Sequence, residues 1–247
     1  MRQEETASVN DSNISALVEI FEDFTASEVL EWALQKFGSK IALITSFQSE
    51  GMVILDMAVK INPEVRVLTI DTGRLHEETY GFMDQVRLHY GVEIGVHFPD
   101  SQEVHELVSR HGINLFYKNV DSRLACCQVR KVHPLKQILS GLDAWITGLR
   151  RQQSTFRLHT QKIEVDHNNR NLVKVNPLAD WTDVEVSEYI EKYEVPKHPL
   201  YGQGYTSIGC APCTRPVENG EHNRAGRWWW EEGVNKECGL HCRTSTS

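Results

Sequence analysis

The sequence predicts an α/β fold: a mostly parallel sheet with helices on both faces. Three observations carry this reading. Short apolar segments of strand length alternate with longer amphipathic ones, which implies parallel pairing through right-handed crossovers. The apolar segments run straight into loops rich in Gly, Ser, Thr and Arg. The chain of 247 residues, 40% hydrophobic and 24% charged, is also long enough for one large core.

The elements follow in order. Thr25-Ala-Ser-Glu28 is a capping-box pattern that opens a helix over Val29–Phe37, and Gly38 is placed to end it. Ile41–Ser46 reads as a buried strand, followed by the polar turn Phe47–Gly51 and a helix from Met52 to Ile61 that Asn62-Pro63 stops. Arg66–Ile70 is the next strand, with Asp71-Thr72-Gly73-Arg74 as the loop at its carboxyl end. A helix over Glu77–Tyr90, a strand over Glu93–His97 and a helix over Ser101–His111 continue the alternation. Ala144–Thr147 is another buried strand, running into Gly148-Leu149-Arg150-Arg151. Ile163–Val165 and Leu172–Val175 flank a polar turn and read as a hairpin, and Thr182–Tyr193 reads as a helix. Residues 1–12 read as a disordered acidic tail, 13–205 as the α/β nucleotide-binding domain, and 206–247 as a segment of the same domain rich in Gly, Pro, Trp and Cys.

In an open α/β sheet, ligands bind outside the carboxyl ends of the strands. Three loops belong there: Ser46–Gly51, Asp71–Arg74 and Gly148–Arg151. A helix opening directly after Ser46–Gly51 would aim backbone N–H groups at an anion. Together they point to a nucleotide-sized anionic ligand.

Charge sharpens this. The formal net charge is −8, which disfavours a nucleic-acid or anionic-membrane binder. The charge is unevenly placed, however. Residues 1–35 hold eight acids and one base, whereas 122–157 hold seven bases against the single acid Asp143. The mid-chain excess reads either as a solvated face or as one wall of a site for a small anion. No apolar run reaches the ~18 residues of a membrane helix, and the opening MRQEETASVNDSN lacks the apolar region of an export signal. A cytoplasmic location is therefore expected, and with it reduced thiols.

Six cysteines stand at 126, 127, 210, 213, 238 and 242. Cys210-Ala-Pro-Cys213 is a common half-site for a metal. Cys126-Cys127 is odder, because neighbouring side chains on a helix diverge by roughly 100°. A cubane iron–sulfur cluster, with a separate iron for each sulfur, suits the four better than one tetrahedral zinc. A redox-active vicinal dithiol, buried structural cysteines and structural zinc stay open on spacing alone. Cys238 has Lys236, His241 and Arg243 as neighbours, which favour its nucleophilic thiolate form.

Seven motifs in order resemble one family: Thr45-Ser46-Phe47-Gln48-Ser49-Glu50, Asp71-Thr72-Gly73-Arg74-Leu75, Cys126-Cys127-Gln128-Val129-Arg130-Lys131, Gly148 through Ser154, Ser207 through Cys213, Gly226-Arg227-Trp228-Trp229-Trp230-Glu231, and Lys236-Glu237-Cys238-Gly239-Leu240-His241. The chain resembles the thioredoxin-dependent adenylyl-sulfate (APS) reductases of the PAPS/APS reductase family over residues 40–241. Relatives acting on the 3′-phosphorylated substrate (PAPS) usually lack the four cysteines at 126, 127, 210 and 213. The resemblance implies an adenine-nucleotide α-hydrolase-like fold, related to the PP-loop pyrophosphatases, although Ser46–Gly51 lacks that group's Gly-Gly. It implies one [4Fe-4S] cluster on Cys126, Cys127, Cys210 and Cys213. It implies that Cys238 attacks the sulfur of APS and forms an S-sulfocysteine, from which thioredoxin frees sulfite.

The remaining site residues follow from that chemistry. A phosphosulfate repels a thiolate, so cations must neutralise it, and Arg150, Arg151, Arg224 and Arg227 carry the right forks. Lys131 is expected to link the cluster to the sulfate, and His241 to orient the substrate or tune Cys238. Ser46, Gln48, Ser49, Glu50, Asp71, Thr72, Gly73, Arg74 and Gly148 complete the expected substrate loops. PAPS or dual-substrate reduction and a non-catalytic iron–sulfur sensor are the alternatives, with homo-oligomerisation open. Cys242 falls outside the motifs: it is an incidental thiol or a disulfide partner of Cys238. Trp228–Trp230 are expected to pack the C-terminal segment onto the core.

Overall fold

The computed structural model describes residues 11–232, with side chains from residue 17 onward. Its centre is a six-stranded sheet in the order β3-β2-β1-β4-β6-β5. The strands are β1 (Ile41–Ile44), β2 (Val67–Ile70), β3 (Ile94–His97), β4 (Ala144–Ile146), β5 (Ile163–Asp166) and β6 (Leu172–Val175). All neighbours pair in parallel except β5 and β6, which form the expected antiparallel hairpin.

The central strands are short, mostly apolar runs because both faces are covered. β6 is buried throughout, and β1 and β2 are buried at their first three positions. On one face, α2 (Ala26–Phe37) and α3 (Ser49–Ile61) pack through Val29, Leu30, Ala33, Val53 and Ile54, all 0% exposed. Thr25 closes the predicted capping box at the start of α2, donating its Oγ1 hydroxyl to Glu28 and accepting the Glu28 N–H. The opposite face is covered by Leu135, Ile138 and Leu139 of α7 (His133–Leu139). Helices α4 (Glu77–Tyr90), α5 (Ser101–His111) and α8 (Asp183–Lys192) lie where the sequence places them.

Two elements were not expected. Helix α1 (Asp11–Glu22) begins inside the stretch read as an acidic tail; residues 1–10 lie outside the described residues. A long helical stretch also runs through α6 (Val120–Cys127), a π-helical turn over Gln128–Val132, and α7. The π turn shifts the apolar phase and Pro134 reads as a breaker, so the 3.6-residue pattern is lost in sequence. Among the described residues no helix is long and apolar enough to cross a membrane.

The chain order reverses between β1 and β4, so a crevice opens at their carboxyl ends. The site lies there.

Candidate active site

A cavity of about 610 Å³ occupies that crevice. Its floor is the loop from β1 into α3. The Thr45 hydroxyl accepts the Phe47 N–H at 2.9 Å, and Phe47 adopts φ 57°, a left-handed conformation that a non-glycine residue holds only when its surroundings fix it. Phe47 is 0% exposed, so packing supplies that constraint. Gln48 precedes α3 and spans the loop, donating to Ser46 Oγ at 2.8 Å and accepting the Ile208 N–H at 2.8 Å. The helix opens at Ser49 rather than at the expected Met52, and the Ser49 N–H donates to the Tyr201 hydroxyl at 3.0 Å. Burial, with the Glu50 carboxylate nearby, pushes that phenol up to about 12.

Two glycines fix the approach of backbones. A Cβ on Gly51 would lie 2.2 Å from Thr45 Oγ1, and one on Gly148 would lie 2.9 Å from Glu50 Cβ. The β1 and β4 loops therefore meet only because both positions lack a side chain.

The predicted cations divide. Arg150 lines the cavity but is buried in an acidic grip: Nε and Nη2 donate to Glu50 Oε1 at 3.0 and 2.8 Å, Nη1 donates to the Trp181 carbonyl, and Asp183 pairs with Nη2. Gln153 adds a hydrogen bond to Glu50 at 2.9 Å. Arg151 turns away, pairing with Glu22 of α1 and donating Nε to the Thr160 carbonyl. Lys131, Arg224 and Arg227 also line the cavity, and Lys131 and Arg227 both bear on Cys210. The cavity is thus lined by one guanidinium already shared by two carboxylates, Arg150, and by the further cations Lys131, Arg157, Arg224 and Arg227.

The Asp71–Arg74 loop mainly braces its neighbours. Asp71 Oδ1 accepts from the Gly73 N–H at 2.7 Å and from the Tyr80 hydroxyl at 3.0 Å. Gly73 sits at φ 69°, where glycine is favoured. Arg74 donates to Ile113 O and Asn114 Oδ1 and lies 4.9 Å over the Phe116 ring. Only Thr72 of this loop lines the cavity. Its hydroxyl lies 3.3 Å from Cys210 Sγ, and the Arg74 carbonyl accepts the Ala211 N–H at 2.8 Å.

Cys126, Cys127, Cys210 and Cys213 are all buried, and none is in a disulfide. Cys126 and Cys127 end α6, so the adjacent pair does sit on a helix, and Cys210 and Cys213 bracket a 3-10 turn. Cys126, Cys210 and Cys213 share an apolar cluster with Leu115, Phe116 and Trp228. Burial pushes the Cys213 thiol up to about 12, with Cys210 and Cys127 adding to the rise. At Cys210 burial acts in the same sense, but Lys131, the Thr72 hydroxyl and Arg227 outweigh it and hold the thiol below its ordinary range.

Among the described residues, no three His, Cys, Asp or Glu side chains converge tightly enough to hold a single metal ion. The donor chemistry still fits a larger thiolate-bound group. Four thiols reach one another electrostatically, and the buried donors Trp228 Nε1 and Arg227 Nε lack an acceptor. Arg227 bears on Cys210 and Cys213, and its guanidinium lies within 2.9 Å of where a Cβ on Gly209 would stand.

Sequence reasoning missed several contacts here. Tyr201 comes from an aperiodic stretch that gave no signal. Arg123, which donates to Glu231 at 2.8 and 2.9 Å, was signalled only by its place one turn before the cysteine pair. The tryptophans pack as expected: Trp228 is 1% exposed and Trp230 lies 4.5 Å from Tyr117, although Trp229 is 39% exposed. Cys238, His241 and Cys242 lie outside the described residues.

Residues 40–216 match the family model described as the phosphoadenosine phosphosulfate reductase domain. The adenosine 5'-phosphosulfate reductase of Pseudomonas aeruginosa (strain LESB58) is 44% identical over 234 residues, spanning 93% of this chain and 86% of that one. A crystal structure of the phosphoadenylyl-sulfate (PAPS) reductase of Candida auris superposes with TM-score 0.71 at 29% identity, covering 86% of this chain and all of that one. The FMN adenylyltransferase of Candida glabrata superposes with TM-score 0.55 at 15% identity over 87% of this chain and 70% of that one, a likeness of fold alone. The fold is adenine-nucleotide α-hydrolase-like, as expected.

Proposed function

The chain belongs to the phosphoadenosine phosphosulfate reductase family, and from that premise we propose that it reduces adenylyl sulfate to sulfite and AMP in assimilatory sulfate reduction, with thioredoxin as reductant. The observation that carries this reading is that Lys131, Arg227 and Cys210 line one nucleotide-sized crevice, with Cys126, Cys127 and Cys213 buried and in electrostatic reach of Cys210 or of one another.

Residues 13–205 bind the nucleotide, and 206–247 complete the cysteine site and carry the nucleophile. Ser46–Gly51 and Gly148 form the walls against which the adenylate lies. Lys131, Arg224 and Arg227 neutralise the phosphosulfate and the charge that develops on the departing AMP. Arg150, already shared by Glu50 and Asp183, orients these walls and adds little free positive charge. Arg151 acts through the loop it pins rather than by touching substrate.

Cys126, Cys127, Cys210 and Cys213 would hold a [4Fe-4S] cluster. When bound, it would supply a polarisable centre, and Lys131 would link that centre to the sulfate. The Cys238 thiolate bonds to the sulfur of APS while the sulfur–oxygen bond to AMP breaks, and the electron pair leaves with AMP. His241 orients the substrate or tunes that thiolate. Thioredoxin then attacks Cys238 Sγ and releases sulfite, so the dithiol is oxidised as the sulfur is reduced. A cytoplasmic setting supplies that reduced partner.

The test is turnover by the anaerobically purified protein with a thioredoxin system, comparing APS with PAPS. Stoichiometric sulfite and AMP from APS supports the reading. Faster turnover of PAPS, or none of either, refutes it.

A further inference from the structure

A buried ion pair joins two residues far apart in sequence, and the reaction above makes no use of it. Arg123 Nε donates to Glu231 Oε1 at 2.8 Å, and its Nη2 donates to Glu231 Oε2 at 2.9 Å. The two side chains are only 1% and 6% exposed. A two-pronged fork of this kind fixes direction as well as distance. An exposed pair would fix neither.

Its position in the chain is informative. Arg123 lies on α6, three and four residues before Cys126 and Cys127, and so on the same face within one turn. Its guanidinium also lies 4.4 Å over the Trp228 ring, while Arg227, which lines the cavity, lies 4.7 Å over the same ring. Trp228 holds φ 45°, and its backbone N–H donates to the Cys213 carbonyl at 3.1 Å. Glu231 thus closes a stack that begins at the cavity wall. Cys238 follows it by seven residues, a reach of at most about 24 Å.

We propose that the Arg123–Glu231 pair is the anchor of the segment carrying Cys238, tying its origin to the helix that bears Cys126 and Cys127. Arg123 and Glu231 are positioning residues for the step in which Cys238 Sγ bonds to the substrate sulfur and AMP leaves. The inference rests on Cys238 being the nucleophile, as read above.

The experiment measures single-turnover sulfonation of Cys238 by APS without thioredoxin in Glu231→Gln and Arg123→Lys, together with APS affinity, visible absorbance and tryptic cleavage after Lys236. Displacing an anchored reactant costs about 10–100-fold in rate. The expected result is such a slowing, with APS affinity and absorbance retained and cleavage after Lys236 accelerated. Wild-type sulfonation, or APS affinity lost in step with the rate, would overturn the proposal, since the pair would then only support the core. If neither variant folds, inserting Gly-Ser-Gly-Ser-Gly-Ser after Glu232 leaves the pair and the core intact. Anchoring then requires slower sulfonation, by at least about twofold from the longer tether alone, and an unchanged rate overturns it. Absence of a Cys238 adduct in the unaltered enzyme refutes the nucleophile reading instead, and the cleavage comparison still tests the anchor.

Discussion

Lowering the pH from 7.5 to 5 acts on this fold through a buried imidazole. His198 is 1% exposed; the Leu200 N–H donates to its Nδ1 at 3.3 Å, and its Nε2 lies 3.1 Å from the Thr79 hydroxyl. Burial, reinforced by His76, pulls its pKa from 6.5 to about 4. The unfolded chain therefore binds a proton more readily than the folded one, so this stability is complete above about pH 6.5 and is lost as pH falls towards 4. The full shift corresponds to about 3 kcal/mol, of which about 2 kcal/mol is gone at pH 5. For a domain of this size that lowers Tm by roughly 4–8 °C. The assay is denaturant unfolding of the protein and of His198→Asn at pH 7.5, 6 and 5. The variant keeps an acceptor for the Leu200 N–H but cannot take up the proton, so its stability falls by about 2 kcal/mol less across that range. Parallel pH dependences would refute the reasoning.

Other expectations concern the site. Gly51→Ala places a Cβ 2.2 Å from Thr45 Oγ1, so the loop must shift; about 1–3 kcal/mol of stability is lost and the KM for APS rises, both measurable on one preparation. Cys213→Ser removes one sulfur from the four-cysteine site, and bound iron and visible absorbance should fall together while the far-ultraviolet circular dichroism persists. Glu50→Gln leaves Arg150 with Asp183 and the Trp181 carbonyl but removes its main counter-charge. The cost is about 1–3 kcal/mol, read by denaturant unfolding, with the protein still folded.

The strands were readable because buried parallel strands are short, continuous apolar runs, and Ile41–Ile44 and Ala144–Ile146 meet that description. The strand-end loops followed from topology, so Ser46, Gln48, Glu50, Gly148 and Arg150 fall on one crevice as expected. Side-chain direction was another matter. Arg150 and Arg151 are adjacent and chemically identical, yet one enters the crevice and the other reaches back to Glu22 on α1, a helix the sequence did not announce. Asp71 and Arg74 likewise read as ligand contacts but satisfy their own turn and the neighbouring Ile113 and Asn114. The meeting of Cys126 with Cys210 depends on where a 3-10 turn docks against a helix, and no local pattern encodes that.

The central claim is that Cys238 takes the sulfonyl group directly from adenylyl sulfate. Anaerobically purified protein is mixed with sulfur-labelled APS, thioredoxin is omitted, and the products are digested for mass spectrometry. The account requires one equivalent of AMP released and the label as a sulfonate on the peptide containing Cys238, discharged as sulfite when thioredoxin is added. APS bound without any adduct, or the label on Cys242 with Cys238 unmodified, would contradict it.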